Sequence, residues 1–326
     1  MLDNRGTLAN ECRTLDGFTG TSPSRARAIH VPVGEDALMV LRPEGLLPQY
    51  LVETVAAVLY KLNGKSQASL VATPDGTLYV LKPHGFPGSH GLMNEVIGTE
   101  IARHVGLPVP RWVLLAVDDA LLDANPGLWY RSGSTVIRPR AGVHFGSQLV
   151  LGSDRERSFQ IIPHAWIDRV TNRADFAAML ILDLWINQCD RRQAIYVGDR
   201  KKLRAIFVDN DHILGGRFGN DETCARRAMT PDLDTYRGLW RPEVVEAWVD
   251  RIKAIEESWI TRMIASIPQS WMEDIDPNAV VETLVRRQRR LKALVGEVSA
   301  VLAHGYSVKS TRSVGATRPM LISRLA

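Results

Sequence analysis

Apolar and polar positions divide the chain into an unpatterned start, a strand-rich first half and a helical second half. Residues 1–34 carry Thr, Ser, Gly, Arg and Asp with no period and read as a loose arm. From Ala37 the pattern tightens, and ALMVLRP (37–43) predicts a short strand. The run YLVETVAAVLYKL (50–62) is apolar enough for a buried strand or a helix, and periodicity alone does not choose between them. Over 69–83, two β-branched runs flank Thr73-Pro74-Asp75-Gly76, turn chemistry that predicts a hairpin. Residues 93–106 predict a helix: Ile97, Ile101 and Val105 fall on one face, and Gly106 closes it before Leu107-Pro108-Val109-Pro110. WVLLAV (112–117) predicts a buried strand. The first half is therefore a small antiparallel sheet with one helix.

Residues 119–165 show Gly-rich punctuation and no period, and read as irregular. A helix is predicted over 174–188, followed by two strands, 194–199 and 203–211, joined through Gly198 and Lys201. Val245, Trp248, Ile252, Ile255 and Trp259 recur at helical spacing, predicting one helix over 241–267 that Pro268 ends. A last helix over 278–303 carries Arg286, Arg287, Arg289, Arg290 and Lys292, a cluster read as its solvated face, with Leu284, Leu291 and Val298 turned inward. The tail beyond it is basic.

Composition narrows the class. At 326 residues the length suits two lobes, and 45% hydrophobic with 23% charged residues excludes wholesale disorder. The net charge of +4 permits a phosphate-bearing partner without requiring one. Cys12, Cys189 and Cys224 are scattered and odd in number, which indicates neither a zinc site nor a disulfide framework and suggests a reduced, cytoplasmic protein. The most apolar stretch, FAAMLILDLWI, is interrupted by Asp183 and is too short to span a bilayer. No recognition motif accompanies the basic residues, so no direct nucleic-acid contact is expected.

Three groups of residues have the spacing that phosphoryl transfer needs. Lys82 ends a strand, and Glu95, more favourably placed than Glu100, lies in the next helix. A lysine aimed at nucleotide phosphates needs such a carboxylate anchor, although taken alone the pair reads more readily as surface charge. Asp190, within Asn187-Gln188-Cys189-Asp190-Arg191-Arg192-Gln193, follows an apolar helix. It could accept a hydroxyl proton, or the segment could be a helix end whose arginines answer the dipole. Asp209-Asn210-Asp211 follows a buried strand, either as hard-oxygen ligands for Mg²⁺ or as a turn.

Taken together, the order strand-Lys, helix-Glu, Asp, hairpin, strand-Asp is that of a two-lobed kinase. The segments NGKSQASL (63–70), DGTLYVLKP (75–83), MNEVIGTEIARHVGLPVP (93–110), AGVHFGS (141–147), DLWINQCDRRQAIYV (183–197) and FVDNDHILGG (207–216) resemble those of the HipA-like kinases of bacteria. They are more distantly similar to those of the phosphatidylinositol 3- and 4-kinases. The resemblance implies an α+β, bilobal protein-kinase-like fold, with an antiparallel-sheet lobe over 36–118 and a mostly helical lobe over 119–304. Residues 1–35 would be an arm and 305–326 a basic tail. It implies an ATP site in which backbone N–H groups of the loop holding Gly64, Lys65, Ser66, Gln67 and Ser69 cover the phosphates, Lys82 contacts them and Glu95 pairs with Lys82. Asp190 would be the catalytic acid or base, and Mg²⁺ would be held by Asp209 with Asp211, Gln193 or Asn187. The acceptor implied is a Ser or Thr hydroxyl of a protein; a small molecule or lipid headgroup is the alternative. A small antitoxin-like protein is an implied partner. The position five residues after Asp190, an Asn in such kinases, is Ile195 here, which leaves a nucleotide-binding scaffold without catalysis as a third reading.

Overall fold

β-Branched residues at Val52, Thr54, Val55 and Val58 favour extended backbone over helix, and the segment 50–62 forms two strands, β1 (Val52–Thr54) and β2 (Ala57–Lys61). The structure, a computed structural model, describes residues 50–62, 66–85, 90–152, 156–199, 201–216, 233–236 and 238–310. The arm at 1–35, the strand predicted at 37–43 and the tail beyond 310 lie outside the described residues.

β3 (Ser69–Ala72) and β4 (Leu78–Lys82) make the predicted hairpin. At its turn Gly76 takes φ +83°, and Asp75 accepts from the Thr73 hydroxyl and the Thr77 amide at 2.5 and 3.0 Å. After α1 (Gly91–His104) comes β5 (Trp112–Val117). The segment expected to be irregular instead folds into α2 (Asp119–Ala124), a small hairpin of β6 (Tyr130–Ser132) and β7 (Thr135–Ile137), then β8 (Gly142–Gln148) and β9 (Arg157–Phe159). β8 lies inside the main sheet, whose order is β1-β5-β8-β4-β3-β2. Its glycines disguise it in the sequence. Gly146 is required because a Cβ there would lie 2.5 Å from the Leu115 side chain. The sheet of the small lobe thus reaches Gln148, past the limit of 118 expected from sequence. It is antiparallel except at its edge, where β1 runs parallel to β5.

Strand alternation gives the sheet two faces. On the outer face Tyr79, Leu81, Val113, Leu115 and Val117 are covered by Leu122 and Leu128. On the other, Trp112, Leu114 and Phe145 pack toward α1 and the helical lobe. Lys82 pairs with Phe145, so it emerges on this inner face.

The helical lobe is built around α3 (Asp175–Ile186), in which every residue from 176 to 186 is buried. Beside it β10 (Gln193–Gly198) and β11 (Leu203–Val208) form the predicted hairpin, extended by β9 into a three-stranded sheet. The single helix predicted over 241–267 is two, α4 (Pro242–Lys253) and α5 (Glu257–Ala265). Glu256 is extended between them, and buried Gln288 donates to the Ile252 and Ile255 carbonyls at 2.8 and 2.9 Å, so the break leaves these carbonyls satisfied. Gln288 lies on α6 (Pro277–Ser310), which continues beyond the predicted end at 303. Of the arginines read as a solvated face, Arg287 turns inward, donating at 2.6 Å to the carbonyls of Leu184 and Trp185 at the C-terminal end of α3. Trp185 itself is fully buried. Among the described residues no helix is long and apolar enough to cross a membrane. Cys189, expected as a free thiol, is disulfide-bonded.

Candidate active site

Four of the sequence-predicted residues meet where the inner face of the sheet, α1 and the loop after β11 converge. Lys82 donates to Glu95 and, at 2.6 Å, to Asp209. Glu95, Asp209 and Asp211 each place a carboxylate oxygen within 4.8 Å of the others. The Lys82 side chain is 14% exposed and that of Glu95 3%. Glu100, the other acid of the helix, lies in a separate set of contacts with Trp112 and Arg103 at 2.6 and 2.7 Å.

Burial and charge compete in this cluster. Burial disfavours the Lys82 ammonium, but Glu95, Asp209 and Asp211 outweigh it and hold its pKa above the ordinary lysine value. Burial raises Glu95, with Lys82 opposing and the two aspartates reinforcing the rise. Asp209 is held below the usual carboxylate range: burial works against this, and Lys82 overcomes it. Lys82 therefore favours the charged form of both carboxylates that touch it.

The loop that carries the acids is locally strained and densely bonded. Asp209 has φ +69°, a left-handed conformation that a non-glycine residue adopts at a cost. Asn210 is buried; its amide donates to Glu95 Oε2 and its Nδ2 to Thr99 Oγ1, each at 3.1 Å. Asn94, also buried, donates to the carbonyls of Asp211 and Ile213 at 3.0 and 3.1 Å. Gly98 faces this loop: a Cβ there would lie 2.5 Å from Asn210 Cγ.

Asp190 lies on the loop leaving α3, exposed, with its carboxylate capping the Arg191 amide at 2.7 Å. Backbone bonds from Cys189 to His212 (2.9 Å) and from Leu214 to Ile186 (2.8 Å) lay this loop beside the Asp209–Asp211 loop. Gln193 begins β10 opposite Val208 and donates to Asp209 Oδ2 at 2.5 Å, whereas Ile195 sits mid-strand against Ile206. Asn187 ends α3 in a left-handed conformation, φ +54°.

The phosphate loop fares less evenly. Gly64 and Lys65 lie outside the described residues. Ser66 lines, with Lys82, Asp211 and the N-terminus of α1, a cleft of about 130 Å³. Gln67 is engaged elsewhere: its carboxamide donates to the Arg131 carbonyl and accepts from the Arg131 amide at 2.6 and 2.8 Å. Ser69 pairs with Leu81 and so shares the outer face of the sheet, away from Lys82.

Sequence reading missed Arg192 and Asp183. The Arg192 guanidinium is paired with Asp183 inside the protein, with side-chain exposures of 3% and 1%. It also donates to the Val208 and Asp209 carbonyls and to Asn210 Oδ1 at 3.1, 3.0 and 2.8 Å. The available signal was Asp183 itself, an acid in an otherwise apolar helix, which burial obliges to find a cation.

No match is found among curated protein sequences. Among solved structures, the Golgi casein kinase with Mn/ADP bound superposes with a TM-score of 0.50 at 12% identity, covering 74% of this chain and 73% of that one. The Helicobacter pylori proinflammatory kinase CtkA gives a TM-score of 0.39 at 10% identity, covering 75% of this chain and 95% of that one. The casein kinase likeness shows the bilobal kinase-like fold. A family model described as HipA-like kinase matches residues 55–295, most of the chain, and the protein accordingly belongs to the HipA-like kinase family.

Proposed function

We propose that this kinase transfers the γ-phosphoryl group of ATP to a Ser or Thr hydroxyl of a protein. The observation that carries the reading is Lys82 bonded at once to Glu95 of α1 and Asp209 after β11, with Asp211 alongside. Lys82 so held is aimed rather than flexible, as contact with nucleotide phosphates requires. Ser66 and the N-terminus of α1 border the same cleft.

The donor set fits a divalent cation. Three carboxylates converge against one ammonium, leaving excess negative charge, and oxygen donors suit Mg²⁺. Asp209 and Asp211 would hold the ion, with Gln193 beside Asp209 in place of the missing Asn. When bound, Mg²⁺ neutralises charge on the transferring phosphoryl group. Asp190, exposed on the adjoining loop, is free to take the proton of an incoming hydroxyl. Family membership alone supports a toxin role beside a small antitoxin-like protein.

The test is label transfer from γ-labelled ATP with Mg²⁺, by protein alone and then with host lysate, with Asp190→Ala and Asp209→Ala run alongside. Labelling of the protein or a lysate protein, lost in both variants, is expected. Label confined to small molecules moves the acceptor to that class. Equal silence of wild type and variants overturns the catalytic roles and favours a nucleotide-binding scaffold.

A further inference from the structure

We infer that Arg192 is a positioning residue for the cation site: it fixes the backbone of 208–210 so that Asp209 presents its carboxylate, and thereby sets the affinity for the divalent ion. The inference rests on the reading of Asp209 as a ligand of that ion.

The geometry is specific to this purpose. Asp209 is held at φ +69°, a strained conformation that persists only where its surroundings enforce it. Three of the enforcing bonds come from one side chain. A single Arg192 nitrogen, Nη1, reaches the carbonyls of Val208 and Asp209, which flank the Asp209 Cα, and the side chain of Asn210. Gln188 adds a 3.2 Å bond to the Asp209 carbonyl. The other edge of the guanidinium is anchored by Asp183 in α3, the most deeply buried helix. Strain in the ligand loop is thus opposed by a rigid element through one planar, permanently charged group.

A buried ion pair is weak evidence of stability, because apolar replacement of both partners is often neutral. A merely structural pair would then be dispensable. Positioning predicts otherwise, and Lys cannot substitute: its single ammonium cannot span Asp183 and three acceptors of the ligand loop.

The experiment uses the full-length protein. Mn²⁺ affinity is measured by electron paramagnetic resonance in the presence of ADP. Metal-free ADP affinity and thermal stability are measured in parallel, for wild type, Arg192→Lys, the paired Asp183→Leu/Arg192→Met variant and Asp209→Asn. The paired variant removes both charges and is expected to keep its fold. The expected result is a loss of Mn²⁺ affinity of about tenfold or more in Arg192→Lys and in the paired variant, with ADP affinity within about twofold of wild type. Wild-type Mn²⁺ affinity in either variant, once folded, overturns the inference if Asp209→Asn has lost it. Wild-type affinity in Asp209→Asn removes the ligand role of Asp209 beneath it. Failure of both Arg192 variants to fold also overturns the inference, since the pair would then serve folding and not the ion.

Discussion

At the scale of single residues, the site is held by side chains whose charge states depend on each other. Glu95 is buried to the point where its carboxylate depends on Lys82. Glu95→Gln removes that anchor while keeping the shape, and transfer is expected to fall by about tenfold or more with the melting temperature little changed; a steady-state rate assay checks this. His144 on β8 offers a pH test outside the cluster. It is 1% exposed, its Nδ1 accepts from the His84 amide at 2.8 Å, and burial pulls its pKa to about 3. The folded pKa lies below the unfolded value near 6.5, so unfolding takes up a proton below that pH. Stability is full above about 6.5 and is lost as pH falls toward 3. At pH 5 the loss is about 2 kcal/mol relative to neutral pH. His144→Gln should remove that slope, read by urea titrations at several pH values.

At the scale of elements, two contacts decide where backbone goes. Gln288 satisfies the carbonyls at the break between α4 and α5. Gln288→Leu leaves them bare in an apolar interior and is expected to cost about 1–3 kcal/mol in chemical denaturation. Gly98 gives α1 its approach to the Asp209–Asp211 loop. Gly98→Ala gains up to about 1 kcal/mol of helix propensity. It forces a Cβ to 2.5 Å from Asn210, whose side chain is pinned by Thr99 and Arg192 and does not yield. Overpacking of about 1–3 kcal/mol wins, so the variant is expected to be less stable and weaker in nucleotide-supported metal binding.

At the scale of the whole molecule, the segment after α5 ties the helical lobe back to the sheet. Trp271 donates to the Val143 carbonyl at 3.1 Å, and Tyr50 and Ser266 share a 2.6 Å hydrogen bond. Arg140, just before β8, pairs with Glu273 through both carboxylate oxygens at 2.7 and 2.9 Å at the rim of the cleft. That pair is more than half exposed, so water and salt screen it. Glu273→Ala is expected to change stability by less than about 1 kcal/mol, whereas Trp271→Ala, which empties a 5% exposed site, should cost about 3–5 kcal/mol. Thermal melts of the two variants distinguish these contributions.

Local periodicity determined much of this protein on its own. The 69–83 hairpin, α1, β5, α3 and the β10–β11 pair follow from alternation, helical spacing and turn residues, because those signals act between near neighbours. The order Lys82, Glu95, Asp190, Asp209 likewise marked the chain as kinase-like before any coordinates. Tertiary structure alone decided the rest. β8 is a central strand because the sheet requires Gly146 beneath Leu115, not because its own residues alternate. Ser69 faces away from Lys82 through strand register, and Gln67 is claimed by Arg131 across the sheet edge. Arg192 looked like a surface charge at a helix end and became the buried link between Asp183 and the Asp209 loop. Its role depends on partners 9 to 18 positions away meeting in a low-dielectric interior, where an unpaired charge is too costly to keep.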